Sequence, residues 1–321
     1  MRNYHLVIRC AGERTRIVSR KLARLQVLSD EDISVISDVP FERALRASYE
    51  AGIRAGLKWT MTLDADVLLC NNAIERLLEH AQQMPPHFVQ LEGLIYDKIL
   101  GAYRRAGHRV YRTELLTRAL RQIPEPGNQL RPESFAVRQM RRLGHPSRYV
   151  SCVVGLHDFE QSYCDLYCKA MVHSRKHPSR LPDLIQRCAQ HMNEDPDFLV
   201  ILKGLWDGLV LQDAPANHRA LFADRASEAL ISLGIKEKDQ IEDDCRFVKD
   251  FPLMFKDITS RNPESEATIM DKPEQSTEQT ASDERGWFDA VQDRISKRGL
   301  LRGSAASLGA MLRWVGQILD R

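Results

Sequence analysis

The chain has 321 residues, 43% of them hydrophobic and 28% charged, which allows one large core or two modest ones and is ordinary for a soluble globular protein. Its 46 basic and 44 acidic residues leave a formal charge of +2, which argues against a bulk nucleic-acid binder. No run approaches the roughly 18 apolar residues of a membrane span, the N-terminus lacks a basic-then-apolar leader, and a cytoplasmic location is expected. Seven scattered cysteines, an odd number, read as reduced and mostly buried thiols. Cys164, Cys168, His173 and His177 recur at helical spacing, but with no Cys-x-x-Cys knuckle the preferred reading is packing rather than zinc ligation.

Tyr4 to Cys10 is a buried first strand, and Ala11 to Arg16 a polar turn after it. Ligands of α/β sheets lie outside the carboxyl ends of the strands. Arg9, Gly12, Glu13 and Arg14 are therefore candidate nucleotide contacts, the two arginines offering forked donors. A helix is expected from Thr15 to Leu28 and a strand from Ile33 to Asp38. Pro40 then opens a helix in which Phe41, Leu45, Tyr49 and Ile53 recur every four residues, and Gly56 is its stop signal. Trp59 to Leu63 completes a βαβ unit, hence a parallel sheet with covered faces. That last strand delivers Asp64 and Asp66 to its end. Two carboxylates separated by one small residue suit a hard divalent cation that neutralises a diphosphate, although Asp is also favoured in caps and turns.

An Ala-rich helix ending in Ala-Gly, an aromatic, an apolar strand and Leu63-Asp64-Ala65-Asp66-Val67 in this order resemble the nucleotide-sugar-binding core of GT-A-fold glycosyltransferases, over roughly residues 4 to 160. The resemblance implies an α/β, Rossmann-like mixed sheet flanked by helices, with a helical C-terminal extension. It also implies that Asp64 and Asp66 hold Mn²⁺ or Mg²⁺ on the donor diphosphate, Asp66 being the direct ligand by the family pattern.

A helix from Asn72 to Met84 and a strand from His87 to Gly93 follow. Gly93 falls where the family carries a glycine that lets backbone approach donor or acceptor; an ordinary turn glycine is the alternative. Leu94 to Ala106 reads as a helix and Gly107 to Thr113 as a turn and short strand. Beyond the Ile123–Asn128 breaker cluster, a helix opens at Pro132. Glu133 matches the family position whose carboxylate is the general base in inverting members, although Pro132 and Ser134 replace the usual acidic neighbour. A first-turn glutamate also simply favours the helix dipole. After the strand Tyr149–Val154, His157 matches the family histidine that completes the metal shell, with Asp158 or Glu160 to orient it. Asp158 could instead cap a helix from Phe159 to Val172.

From residue 161 the signal is helical. The expected organisation is a catalytic domain over 1–258, with its core in 1–160 and a helical part in 161–258. A polar linker over 259–285 and basic amphipathic helices over 286–321, suited to a membrane surface or a partner, complete it. The implied function is metal-dependent transfer of a sugar from a nucleotide-diphosphate donor to a glycan, lipid or protein acceptor, inverting or retaining, with no nucleic-acid partner. Two alternatives stand: a nucleotidyltransferase of related fold, weakened by the single Gly12 in the first loop, and a non-catalytic scaffold docking through 286–321.

Overall fold

The computed structural model describes residues 3–27, 29–129, 131–176, 180–210, 222–241 and 245–262. The linker beyond Asn262 and the 286–321 helices lie outside the described residues. Strand β1 (Tyr4–Arg9) is buried throughout, and α1 (Arg16–Arg24) ends four residues before the expected Leu28. Next come β2 (Ile33–Ile36) and α2 (Phe41–Ala55), which Gly56 closes in the left-handed region at φ 64°. β3 (Trp59–Asp64) and β4 (Val67–Leu69) flank the two-residue turn at Ala65 and Asp66, and α3 (Ala73–Gln82) follows.

The helix expected over Leu94–Ala106 is a β-hairpin instead. β5 (Gln90–Asp97) runs past Gly93, and β6 (Ala102–Arg104) returns antiparallel to it. The turn is built by Asp97, whose Oδ1 accepts from the Leu100 amide at 2.8 Å and whose carbonyl accepts from Gly101 N–H at 2.8 Å. Tyr96 and Tyr103 then meet edge-to-face at 5.3 Å across the pair. β7 (His108–Arg112), an unanticipated α4 (Thr113–Leu120), α5 (Pro132–Arg142) and β8 (Ser147–His157) complete the N-terminal part.

The eight strands form one mixed sheet in the order β2-β1-β3-β7-β5-β8-β4, with β6 on β5. β1 is parallel to β2 and β3, and β5 to β8; the remaining pairs are antiparallel. Helices cover both faces, as two neighbours in β7 show. Val110 joins Ile74, Leu77 and Ala81 of α3, while Tyr111 points the other way to Leu45 of α2, Leu116 of α4 and Met140 of α5.

Four further helices follow: α6 (Tyr163–Lys176), α7 (Leu181–His191), α8 (Pro196–Val210) and α9 (Ala223–Leu233). α6 starts at Tyr163, as its helical signal indicates, rather than at the Phe159 of the capping alternative, and Ser162 rather than Asp158 supplies its cap, the hydroxyl accepting from Asp165 N–H at 3.1 Å. Last comes α10 (Cys245–Arg261), which extends into the first residues of the expected linker. Contacts divide the chain into two compact units, one of the described residues of Met1–Glu160 with Gln240–Asp271, the other containing Gln161–Asp239. In the second, α8 is buried on nearly every side. Its Gly204 lets α6 approach so closely that a Cβ would stand 2.6 Å from the Tyr167 carbonyl. In the first, Phe251 of α10 packs with Val18 and Leu22 of α1 and with Leu68, Leu94 and Leu156 of the sheet. No helix among the described residues is long and apolar enough to cross a membrane.

Candidate metal centre

The Asp64–Asp66 turn is fixed by its backbone. Asp64 N–H donates to the Gly107 carbonyl at 2.7 Å and Ala65 N–H to the Arg9 carbonyl at 2.9 Å. From α1, Ser19 Oγ donates to the Val67 carbonyl at 2.9 Å, and just before it Thr15 Oγ1 donates to the Ala65 carbonyl at 2.8 Å. The two acidic side chains then part company. β1 and β3 are in register at Arg9 and Asp64, so Asp64 Oδ1 accepts from Arg9 Nε at 2.7 Å. Asp66 enters a different group.

That group is assembled by strand register. β8 runs antiparallel to β4 with His157 opposite Val67, and parallel to β5 with His157 opposite Asp97. The imidazole therefore sits among three acids: Nε2 is 3.6 Å from Asp66 Oδ1, and Nδ1 is 2.9 Å from Asp97 Oδ2 and 3.0 Å from Asp158 Oδ2. One ligand atom each from Asp66, His157 and Asp158 lies within 4.8 Å of the others, the one such metal-compatible group among the described residues. The alternative zinc ligands Cys164, Cys168 and His173 form no such group there, and His177 lies outside the described residues.

Burial opposes the charge on His157, but Asp158 and Asp66 outweigh it and push its pKa up to about 9. A proton must therefore leave before the ring can ligate. Burial would likewise raise Asp97, yet Arg104 and His157 hold it well below the usual carboxylate range, and Arg104 Nε donates to its Oδ2 at 2.6 Å. Asp158 and Glu160 adopt φ of 62° and 58°, left-handed for residues with side chains, at a cost of about 1–3 kcal/mol each. Arg14 holds this bend, its Nη1 donating at 2.9 Å to both the Glu160 carbonyl and its carboxylate. Gly107, at φ 70°, threads between the two halves of the site. A Cβ there would stand 2.4 Å from Val67 Cγ2, with Asp64 Oδ2 and His157 Cδ2 each at 3.7 Å.

Behind Asp64 lies a buried ion-pair chain. Arg9, 4% exposed, donates through Nη1 to Glu133 Oε1 at 2.9 Å, and the Phe41 ring lies 4.9 Å from its guanidinium carbon. Tyr111 hydroxyl donates to the same Glu133 oxygen at 2.9 Å, and Arg109 bridges Glu133 to Glu92. Gly93 lies inside the sheet, where a Cβ would meet the Cys152 carbonyl at 2.7 Å; its N–H donates to His108 Nε2 at 2.9 Å. Glu13 turns back on its own loop, accepting from Ala11 N–H at 2.6 Å, and Gly12 takes φ 93° with open space around it.

The structure thus joins Arg9, Asp64 and Glu133 in one chain and Asp66 and His157 in another, with Gly12, Glu13 and Arg14 on the adjoining loop and Gly93 in the sheet. Reading the sequence missed Asp97, Arg104 and Arg109. The signal for Asp97 was present in the β-branched and aromatic Ile95-Tyr96 ahead of it and the turn-forming Gly101 four residues on. Beside Arg14 and Glu160, a cleft of about 500 Å³ is lined by Phe247, Phe251 and Met254 of α10.

No protein-family profile matches the chain. A comparison with curated proteins also found no match. Among solved structures, the fold is similar to a mannosyltransferase from Pyrobaculum calidifontis in complex with GDP-Man and Mn²⁺ (TM-score 0.37, 14% identity, 71% of this chain and 80% of that one). It is also similar to a glycosyltransferase involved in glycosylation of the major capsid of PBCV-1 (0.35, 12%, 50% and 94%) and to a CMP:2-keto-3-deoxy-manno-octonic acid synthetase complexed with CTP (0.33, 13%, 48% and 91%). The structural neighbours therefore include glycosyltransferases and a nucleotidyltransferase, all at low identity.

Proposed function

We propose that the chain is a metal-dependent glycosyltransferase using a nucleotide-diphosphate sugar. The observation that carries this reading is the Asp66–His157–Asp158 group, set by strand register beside Asp64 at the end of a parallel strand. Two carboxylates and an imidazole within 4.8 Å of one another fit Mn²⁺ or Mg²⁺. Asp97, behind the ring, is the partner that orients it. When bound, the ion would neutralise charge on the departing nucleoside diphosphate. Arg9 serves this site from behind: nearly buried and fully engaged, it positions Asp64 rather than reaching solvent. Glu133 is assigned to hold Arg9 and Arg109 in place, and Arg14 to fix the loop that carries Asp158.

A thermal-shift panel with UDP, GDP, CMP and ADP, each with Mn²⁺ or EDTA, tests this on wild type and Asp66→Asn. A nucleotide at ~100 times its dissociation constant adds ~2.7 kcal/mol of stability, and the shift should require both metal and Asp66. Release of pyrophosphate from a nucleoside triphosphate would point to a nucleotidyltransferase. No shift with any nucleotide would favour a scaffold.

A further inference from the structure

Helices α4 and α5 turn a basic surface outward. On α5, Pro132, Glu133, Ala136 and Met140 are buried, whereas Arg138, Arg141 and Arg142 are exposed, as is Arg131 just before it. At 100° per residue, Arg131, Arg138 and Arg142 form one stripe with Arg141 beside it. α4 and the residue after it add exposed Arg118 and Arg121. Arg118 Nη1 lies 2.9 Å from His145 Nε2, which ties α4 to the chain just beyond α5. A chain of formal charge +2 therefore concentrates six arginines on one face. Leu143, 56% exposed, follows directly after Arg142, and Tyr149 is 46% exposed.

We infer that this face docks on an anionic membrane surface. Clustered arginines attract acidic headgroups and any other polyanion alike. An exposed leucine among them, with an exposed tyrosine close by in sequence, is what favours lipid, since a nucleic-acid backbone gives a leucine nothing to enter. The same helix ties this surface to the metal centre. α5 is ~16 Å long, and its first turn carries Glu133, which bonds Arg9 and through it Asp64. Docking along this stripe would set the helix that holds Asp64, through Glu133 and Arg9, against the headgroups that carry a lipid-borne acceptor. That final step rests on the transferase reading; the docking does not.

Sedimentation of the full chain with vesicles of phosphatidylcholine alone, or with about one-third phosphatidylglycerol, tests the inference. Binding is expected only to the anionic vesicles and should weaken with added salt. The Arg138→Glu, Arg141→Glu, Arg142→Glu triple variant should bind at least about tenfold less at an unchanged melting temperature. If the triple variant melts early, Arg138→Glu and Arg142→Glu are compared singly. A Leu143→Cys chain carrying an environment-sensitive dye should shift to the blue on the same vesicles. Wild type that stays in solution, a triple variant that binds as wild type, or bound protein with no dye shift would each overturn the inference. Retention on single-stranded DNA that the triple variant loses, without vesicle binding, would assign the face to nucleic acid instead.

Discussion

Glu133 accepts from Arg9 and Tyr111 and pairs with Arg109, so its carboxylate is occupied by donors that favour its charged form. A base must offer a lone pair to the acceptor hydroxyl; an anchor must only stay charged between the guanidiniums. Removing one partner of a buried ion pair costs ~3–5 kcal/mol, so Glu133→Gln should melt markedly earlier than wild type in calorimetry. A variant that melts normally yet transfers no sugar would return the base role to Glu133. His108 gives a second test at this scale. Burial lowers its pKa to about 4 from an ordinary 6.5, and the neutral ring donates to the Ala106 carbonyl while accepting from Gly93 N–H. The stability this provides is complete above pH 6.5 and is lost as pH falls through 4. The loss amounts to as much as ~3 kcal/mol. Urea melts between pH 7 and 4 should show that slope, and it should flatten in His108→Gln, which has no titrating ring.

At the scale of elements, the metal centre depends on β8 keeping its register against β4 and β5. Gly155 is the sensitive position, because a Cβ there would stand 2.3 Å from the Leu68 carbonyl of β4. Gly155→Ala should cost about 1–3 kcal/mol and, by moving His157 away from Asp66, remove any Mn²⁺-dependent rise in melting temperature. This dependence also explains which parts of the molecule the sequence discloses. β1, α2, Gly56 and β3 are legible because each is declared by local periodicity and a local stop signal, and Asp64 and Asp66 come with them. Asp97 is obscured because Ile95, Ile99 and Tyr103 repeat every four residues and imitate a helix, and because the strand that brings His157 opposite it is β8, about sixty residues on. The Arg109–Glu133 pair is illegible for the same reason: the two meet through the packing of α5 against the sheet, and no spacing in the chain announces it.

For the whole molecule, the governing fact is that the first unit is discontinuous in sequence. Its sheet is complete by His157, but Phe251, which packs against Leu68, Leu94, Tyr96 and Leu156, arrives only with α10. Phe251→Ala should therefore cost ~3–5 kcal/mol, read as a lower urea midpoint, although the residue lies far in sequence from every strand. During synthesis this arrangement imposes a wait. About a hundred residues separate the end of β8 from the end of α10, so at roughly 5–20 residues per second the nascent sheet leaves that apolar face open for roughly 5–20 s. Through that interval the ribosome-bound chain presents its own aggregation hazard, and slowing translation between α9 and α10 should lower the yield of soluble protein even though no residue has changed.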